Sequence, residues 1–105
     1  MKYYSVGQME ISDPRWIADY VEHVTRLVEG RGGRYLARTS HAETWEGERP
    51  APAILLLVEW PSREAAEAFY ESEEYRPFRE RRLAGSRSEM LLAPGEDVAG
   101  KARID

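Results

Sequence analysis

The chain contains no cysteine. Disulfides, thiolate nucleophiles and cysteine-based zinc or iron–sulfur sites are excluded together. Histidine is nearly as scarce: His23 and His41 stand alone and form no metal-ligating pair. No apolar run approaches the roughly 18 residues needed to cross a bilayer, and the opening MKYYSVGQMEIS lacks the charged-then-apolar layout of a secretory leader. A cytoplasmic protein without a membrane partner is expected. A basic excess is missing as well. Fifteen lysines and arginines face 19 aspartates and glutamates, a formal charge of −4. Nucleic acid is therefore a disfavoured partner, because neutralising phosphates requires a basic face. P-loop, strand-linked dinucleotide glycine, GxSxG and HExxH patterns are all absent, so neither a metal nor a cofactor is expected.

What remains is the composition of one folded domain. Of 105 residues, 42% are hydrophobic and 32% charged, which argues against disorder and allows a single core. Residues 2–11, rich in aromatic and β-branched side chains, predict a first strand. Asp13-Pro14 then signals a helix start, with Ile17, Val21, Val24 and Val28 recurring every three or four residues and Trp16, Tyr20 and Leu27 widening the stripe. Glycines at 30, 32 and 33 stop it. GRYLART and AETWEG predict one strand interrupted at SHA. AILLLVEW predicts a central strand, apolar enough to be covered on both faces. Ser62 caps a second helix that places Ala65, Ala66, Phe69 and Tyr70 inward. A further helical piece runs from about Arg76 to Ala84, and SRSEMLLA forms the last strand.

The order strand, helix, strand, strand, helix, strand predicts an α+β, ferredoxin-like βαββαβ fold, an antiparallel sheet with its helices on one face. Residues 1–95 make the domain and 96–105 a loosely held polar tail. The uninterrupted apolar strand needs cover on its second face. A second copy of the same sheet supplies it, giving a homodimer.

At this point the residues resemble a known family. Gly32-Gly33-Arg34-Tyr35, Glu43 with Glu46-Gly47, the Trp60-Pro61-Ser62 turn with Ala65-Ala66, and Ser72 to Tyr75 with Arg82 and Ser86 look like the domain of unknown function 1330 family. The resemblance runs from Tyr4 to about Gly95 and implies a dimeric α/β barrel. Its wider superfamily includes cofactor-free monooxygenases of aromatic polyketides, polyketide cyclases, muconolactone isomerase-like enzymes, haem-degrading proteins and amino-acid-sensing domains. Fold alone does not choose among them. The chain departs from the family pattern at His41 and Trp45, both within the interrupted strand.

Arg82 is the arginine that matches the family motif. With Tyr75 and Arg79 it falls on one helical face, where an inward guanidinium could hold a carboxylate or enolate oxygen, or else pair structurally with Glu43 or Glu46. Arg76, Arg79 and Arg81 read as a solvated face laced to Glu73, Glu74 and Glu80. Tyr4, Tyr20 and Tyr35 lie on expected inner faces and, with Tyr75 and Trp45, are candidate substrate-binding residues. His23, at the edge of the first helix, and His41, in the SHA bend, are candidate catalytic bases beside Arg82. A haem role for His23 finds no supporting motif. The sequence thus predicts a small cofactor-independent enzyme of isomerase, cyclase or monooxygenase type, acting on a compact oxygenated or aromatic metabolite. A non-catalytic small-molecule-binding dimer and a structural dimer are the alternatives.

Overall fold

The computed structural model describes residues 1–101. Its elements run β1 (Tyr3–Ile11), a 3-10 turn (Pro14–Trp16), α1 (Ile17–Gly30), β2 (Arg34–Thr39), β3 (Ile54–Trp60), α2 (Arg63–Tyr70), α3 (Arg76–Gly85) and β4 (Ser86–Pro94). The four strands form one antiparallel sheet in the order β2-β3-β1-β4, with the helices on one face. This is the ferredoxin-like arrangement the sequence predicts. Of the polar tail, residues 102–105 lie outside the described residues.

The local signals act as read. The Asp13 carboxylate accepts from the Arg15 amide and caps the 3-10 turn that leads into α1. The Arg15 side chain also donates to it, holding this carboxyl down at about 2. Ser62 Oγ accepts from the Ala65 amide at 3.1 Å and starts α2. At the end of α1 the chain turns through Gly32, at φ 84°, while the Gly33 amide donates to the Val28 carbonyl at 2.9 Å. A Cβ on Gly33 would lie 2.6 Å from Val28 Cγ1 and 2.8 Å from Trp60, so only glycine lets β2 enter against α1 and β3.

The core lies between helices and sheet. Met9, Val24, Val28, Leu56, Val58, Trp60, Ala66, Phe69 and Tyr75 are buried there. Val21 departs from the expected stripe and is 43% exposed, because Tyr20, Val24, Leu27 and Val28 already fill the face of α1 that meets the sheet. The second strand departs further. It ends at Thr39, and residues 40–53 have no regular strand structure. The irregularity in its ladder falls earlier, between Tyr35 and Ala37. No helix among the described residues is long and apolar enough to cross a membrane.

Candidate functional site

Alternation along the strands divides side chains between the two sheet faces. Ser5 of β1 pairs with Val58 of β3 and Leu92 of β4, so all three face the helices. Above them, α1 presents Tyr20, Val24 and Val28, and α2 presents Ala66, Phe69 and Tyr70. The helices and sheet do not close fully. A cavity of about 320 Å³ remains, floored by Ser5, Leu56, Val58, Trp60 and Met90 and walled by Tyr20, Tyr35, Phe69, Tyr70 and Tyr75. Glu67 on α2 and Glu71 just past its end, both exposed, also border it. Glu67 is held by Arg63 at 2.6 Å.

An aromatic row fixes the wall. Trp60 packs on Phe69 at 5.3 Å between ring centroids, Phe69 on Tyr75 at 4.3 Å, and Tyr20 meets Trp16 edge-on at 5.1 Å. Such contacts hold rings in one orientation. The Tyr20 and Tyr75 hydroxyls are hydrogen-bonded at 2.6 Å. Trp60 Nε1 donates to Ser5 Oγ at 2.8 Å. Arg38 lies 3.8 Å over the Tyr35 ring, and donates to Thr25 at 2.7 Å.

Arg82 stands against this pair. It is 1% exposed, yet its Nε and Nη2 have no hydrogen-bond partner among the described residues. Burial works against its charge, but the Tyr75 and Tyr20 phenol oxygens outweigh that, and its pKa is raised. The Tyr20 phenol is also pushed up, chiefly by burial and then by Tyr75, with Arg82 opposing. Burial likewise raises Tyr35 against the pull of Arg38. The Tyr20 and Tyr35 phenols stay protonated throughout the physiological range.

The structure brings Tyr20, Tyr35 and Tyr75 together around the cavity, with Arg82 against the pair. The other four candidates lie elsewhere. Tyr4 has the opposite strand parity to Ser5, so it faces the outer side of the sheet and donates to Glu59 at 3.1 Å. His23 is exposed on α1, stacked on Phe78 and 3.2 Å from Asp19. His41 and Trp45 follow the end of β2 in the 40–53 loop, both exposed, Trp45 at 90%. Glu43 and Glu46 lie in that loop too, and among the described residues neither pairs with Arg82. Arg76 does pair with Glu73 and Glu80, as the charge pattern predicts, while Arg81 reaches Asp19 instead.

Sequence reasoning passed over Ser5. The signal was available: among Tyr3, Ser5, Gly7, Met9 and Ile11, the inward set of β1, it is the polar side chain with no aromatic ring. Trp60 packs in the core and also supplies the donor that orients Ser5.

A family model described as "Domain of unknown function (DUF1330)" matches residues 2–96. No curated protein matches the chain. Among solved structures, a protein of unknown function from Rhodopseudomonas palustris, RPA0582, is similar at a TM-score of 0.76 and 15% identity, covering 91% of this chain and 84% of that one. SnoaB, a cofactor-independent oxygenase from Streptomyces nogalater, is similar at 0.65 and 13% identity, covering 92% and 95%. A dimeric ferredoxin-like protein of unknown function from Jannaschia sp. CCS1 is similar at 0.61 and 10% identity, covering 90% and 99%. At these identities the likeness is one of fold.

Proposed function

The chain belongs to the DUF1330 family, and from that premise and its cavity we propose that it is a small enzyme that works without a cofactor on a compact oxygenated or aromatic metabolite. The observation that supports this reading is the Tyr20–Tyr75 hydrogen bond at 2.6 Å, set in an apolar cavity and backed by the buried Arg82. A volume of about 320 Å³ is at the small end for ligand pockets, which suits a compact molecule. Isomerisation, cyclisation and cofactor-free oxygenation of such a molecule share an enolate or carbanion as intermediate. A phenol donor at the developing oxyanion, with a guanidinium charge behind it, favours that intermediate over its ketone, the carbon-bound proton passing to solvent water or to Glu71, the bordering carboxylate that Arg63 does not hold. SnoaB performs its oxygenation on the same fold. The apolar walls supply orientation.

A second reading, a non-catalytic binder, is favoured by a different observation. Both histidines lie outside the cavity, and the two carboxylates that border it among the described residues, Glu67 and Glu71, are exposed. Hydrogen–deuterium exchange separates the two. Incubation of 1-indanone with the protein in D2O should accelerate loss of its α-protons above buffer, and the Tyr20→Phe/Tyr75→Phe double variant should abolish that gain. Binding without any exchange would leave the binder reading in place of the enzyme.

The dimer belongs to the same proposal. The molecule is a slab, 43 × 36 × 16 Å, with helices on one side only. On the other side Ala37, Leu57, Val6 and Leu91 lie in register across all four strands, and Leu91 is 68% exposed. A four-stranded face of this length offers on the order of 500 Å². A stable interface needs about 800 Å² per partner. The 40–53 loop adds the exposed Trp45, and the second copy would cover both.

A further inference from the structure

The hydrogen bonds of the cavity leave protons over. Trp60 Nε1 can only donate, so in its bond to Ser5 the serine oxygen accepts, and the serine proton is free to donate. That proton has no acceptor among the described residues. Tyr20 and Tyr75 carry two hydroxyl protons and share one hydrogen bond, so one phenolic proton is also left over, whichever ring donates. Arg82 lies behind that pair and does not itself line the cavity, but it can only donate, so it takes up neither leftover proton. No imidazole and no amide side chain borders the cavity. Among the described residues its two carboxylates are Glu67 on α2 and Glu71 just past its end, both exposed, and Glu67 is held by Arg63.

We infer that the inner wall of the cavity is built to receive hydrogen-bond acceptors, and that its ligand is a compact, largely apolar carbonyl compound whose oxygen is held by the Tyr20–Tyr75 pair. Buried donors demand acceptors, and a ligand that brings only donors leaves both sides unpaired. Selection by such a wall is therefore polar in sign. It favours a ketone, quinone or ester, which takes up the leftover protons, over an amine, pyrrole or indole of equal size, which can reach only the hydroxyls' remaining lone pairs and leaves those protons unpaired. Ser5 offers a second donor on the floor, so a ligand with two carbonyl oxygens gains further. The inference deepens the functional reading above and rests on it.

Three neutral bicyclic probes of near-equal size isolate the effect: indane, which has no polar atom, 1-indanone, which only accepts, and indole, which in the plane of its ring only donates. Calorimetric titration of the intact protein should show 1-indanone binding about tenfold more tightly than indane, the return of one buried hydrogen bond. Indole should show no advantage over indane. The carbonyl stretch of bound 1-indanone should move to lower wavenumber than in an apolar solvent. In the Tyr20→Phe/Tyr75→Phe variant, with rings retained, its affinity should fall to that of indane. If that variant does not fold, the three affinities and the carbonyl stretch in the unmodified protein still decide. Equal affinity for all three probes, or tighter binding of indole, overturns the donor-wall inference while the cavity reading survives. Binding of none of them overturns the cavity reading and the inference together.

Discussion

Two residues carry most of the proposed chemistry, and both are polar groups in an apolar place. Arg82 is buried with Nε and Nη2 unpartnered among the described residues, and an orphaned buried donor costs about 1–3 kcal/mol. Arg82→Met, which keeps the length and removes the charge, should leave the ligand-free protein equally stable or more stable by about 1–3 kcal/mol in urea unfolding. The same variant should lose ligand-induced stabilisation. A large fall in stability would make Arg82 a structural residue. Tyr20 gives a pH signature. Its folded pKa is raised above the usual phenol value of about 10, so above that pH the native state holds a proton that the unfolded chain releases. Stability is then fully present below about pH 10 and declines above it by up to about 1.4 kcal/mol per pH unit. Of six tyrosines, Tyr20 should be among the last to give phenolate absorbance at high pH, and Tyr20→Phe should remove that late step.

At the scale of elements, caps and close approaches set the cavity's shape. Ser62→Ala removes the acceptor of the Ala65 amide and should cost about 1 kcal/mol, read by thermal or urea unfolding. Gly33→Ala should cost more, about 1–3 kcal/mol, since its Cβ meets Val28 and Trp60 below 3.0 Å and both are core residues. The elements themselves were legible in the sequence because their signals are local: Asp13-Pro14, the 30–33 glycines, Ser62 and the apolar β3 each act within a few residues. The cavity was half legible. Tyr20 and Tyr75 lie on helical faces that periodicity reveals, and Arg82 lies two turns beyond Tyr75. Tyr4 misled because a one-residue step on a strand reverses the face, and parity in β1 is visible only once Met9 is known to be buried. Trp45 and His41 misled because the end of β2 at Thr39 has no glycine or proline beside it to announce it.

For the whole molecule, a sheet covered on one side is incomplete. The row Ala37, Leu57, Val6 and Leu91 accounts for the apolar excess of AILLLVEW that the helices do not use. Leu91→Asp places a charge where a copy would pack but where the single chain leaves 68% exposure. Sedimentation should show a dimer converted to a monomer with little change in intrinsic fold. If the unmodified protein sediments as a monomer, the apolar row has another use.

The central claim is that the Tyr20–Tyr75 pair and its cavity receive a small molecule. The most direct test is a titration of 1-indanone into protein labelled with carbon-13 at the tyrosine ζ position, followed by NMR. The account predicts that the Tyr20 and Tyr75 resonances shift together and saturably, with Tyr35 responding and Tyr4, on the far face of the sheet, unchanged. Saturable shifts at Tyr4 with Tyr20 and Tyr75 unmoved, or no saturable shift at any tyrosine, would contradict it.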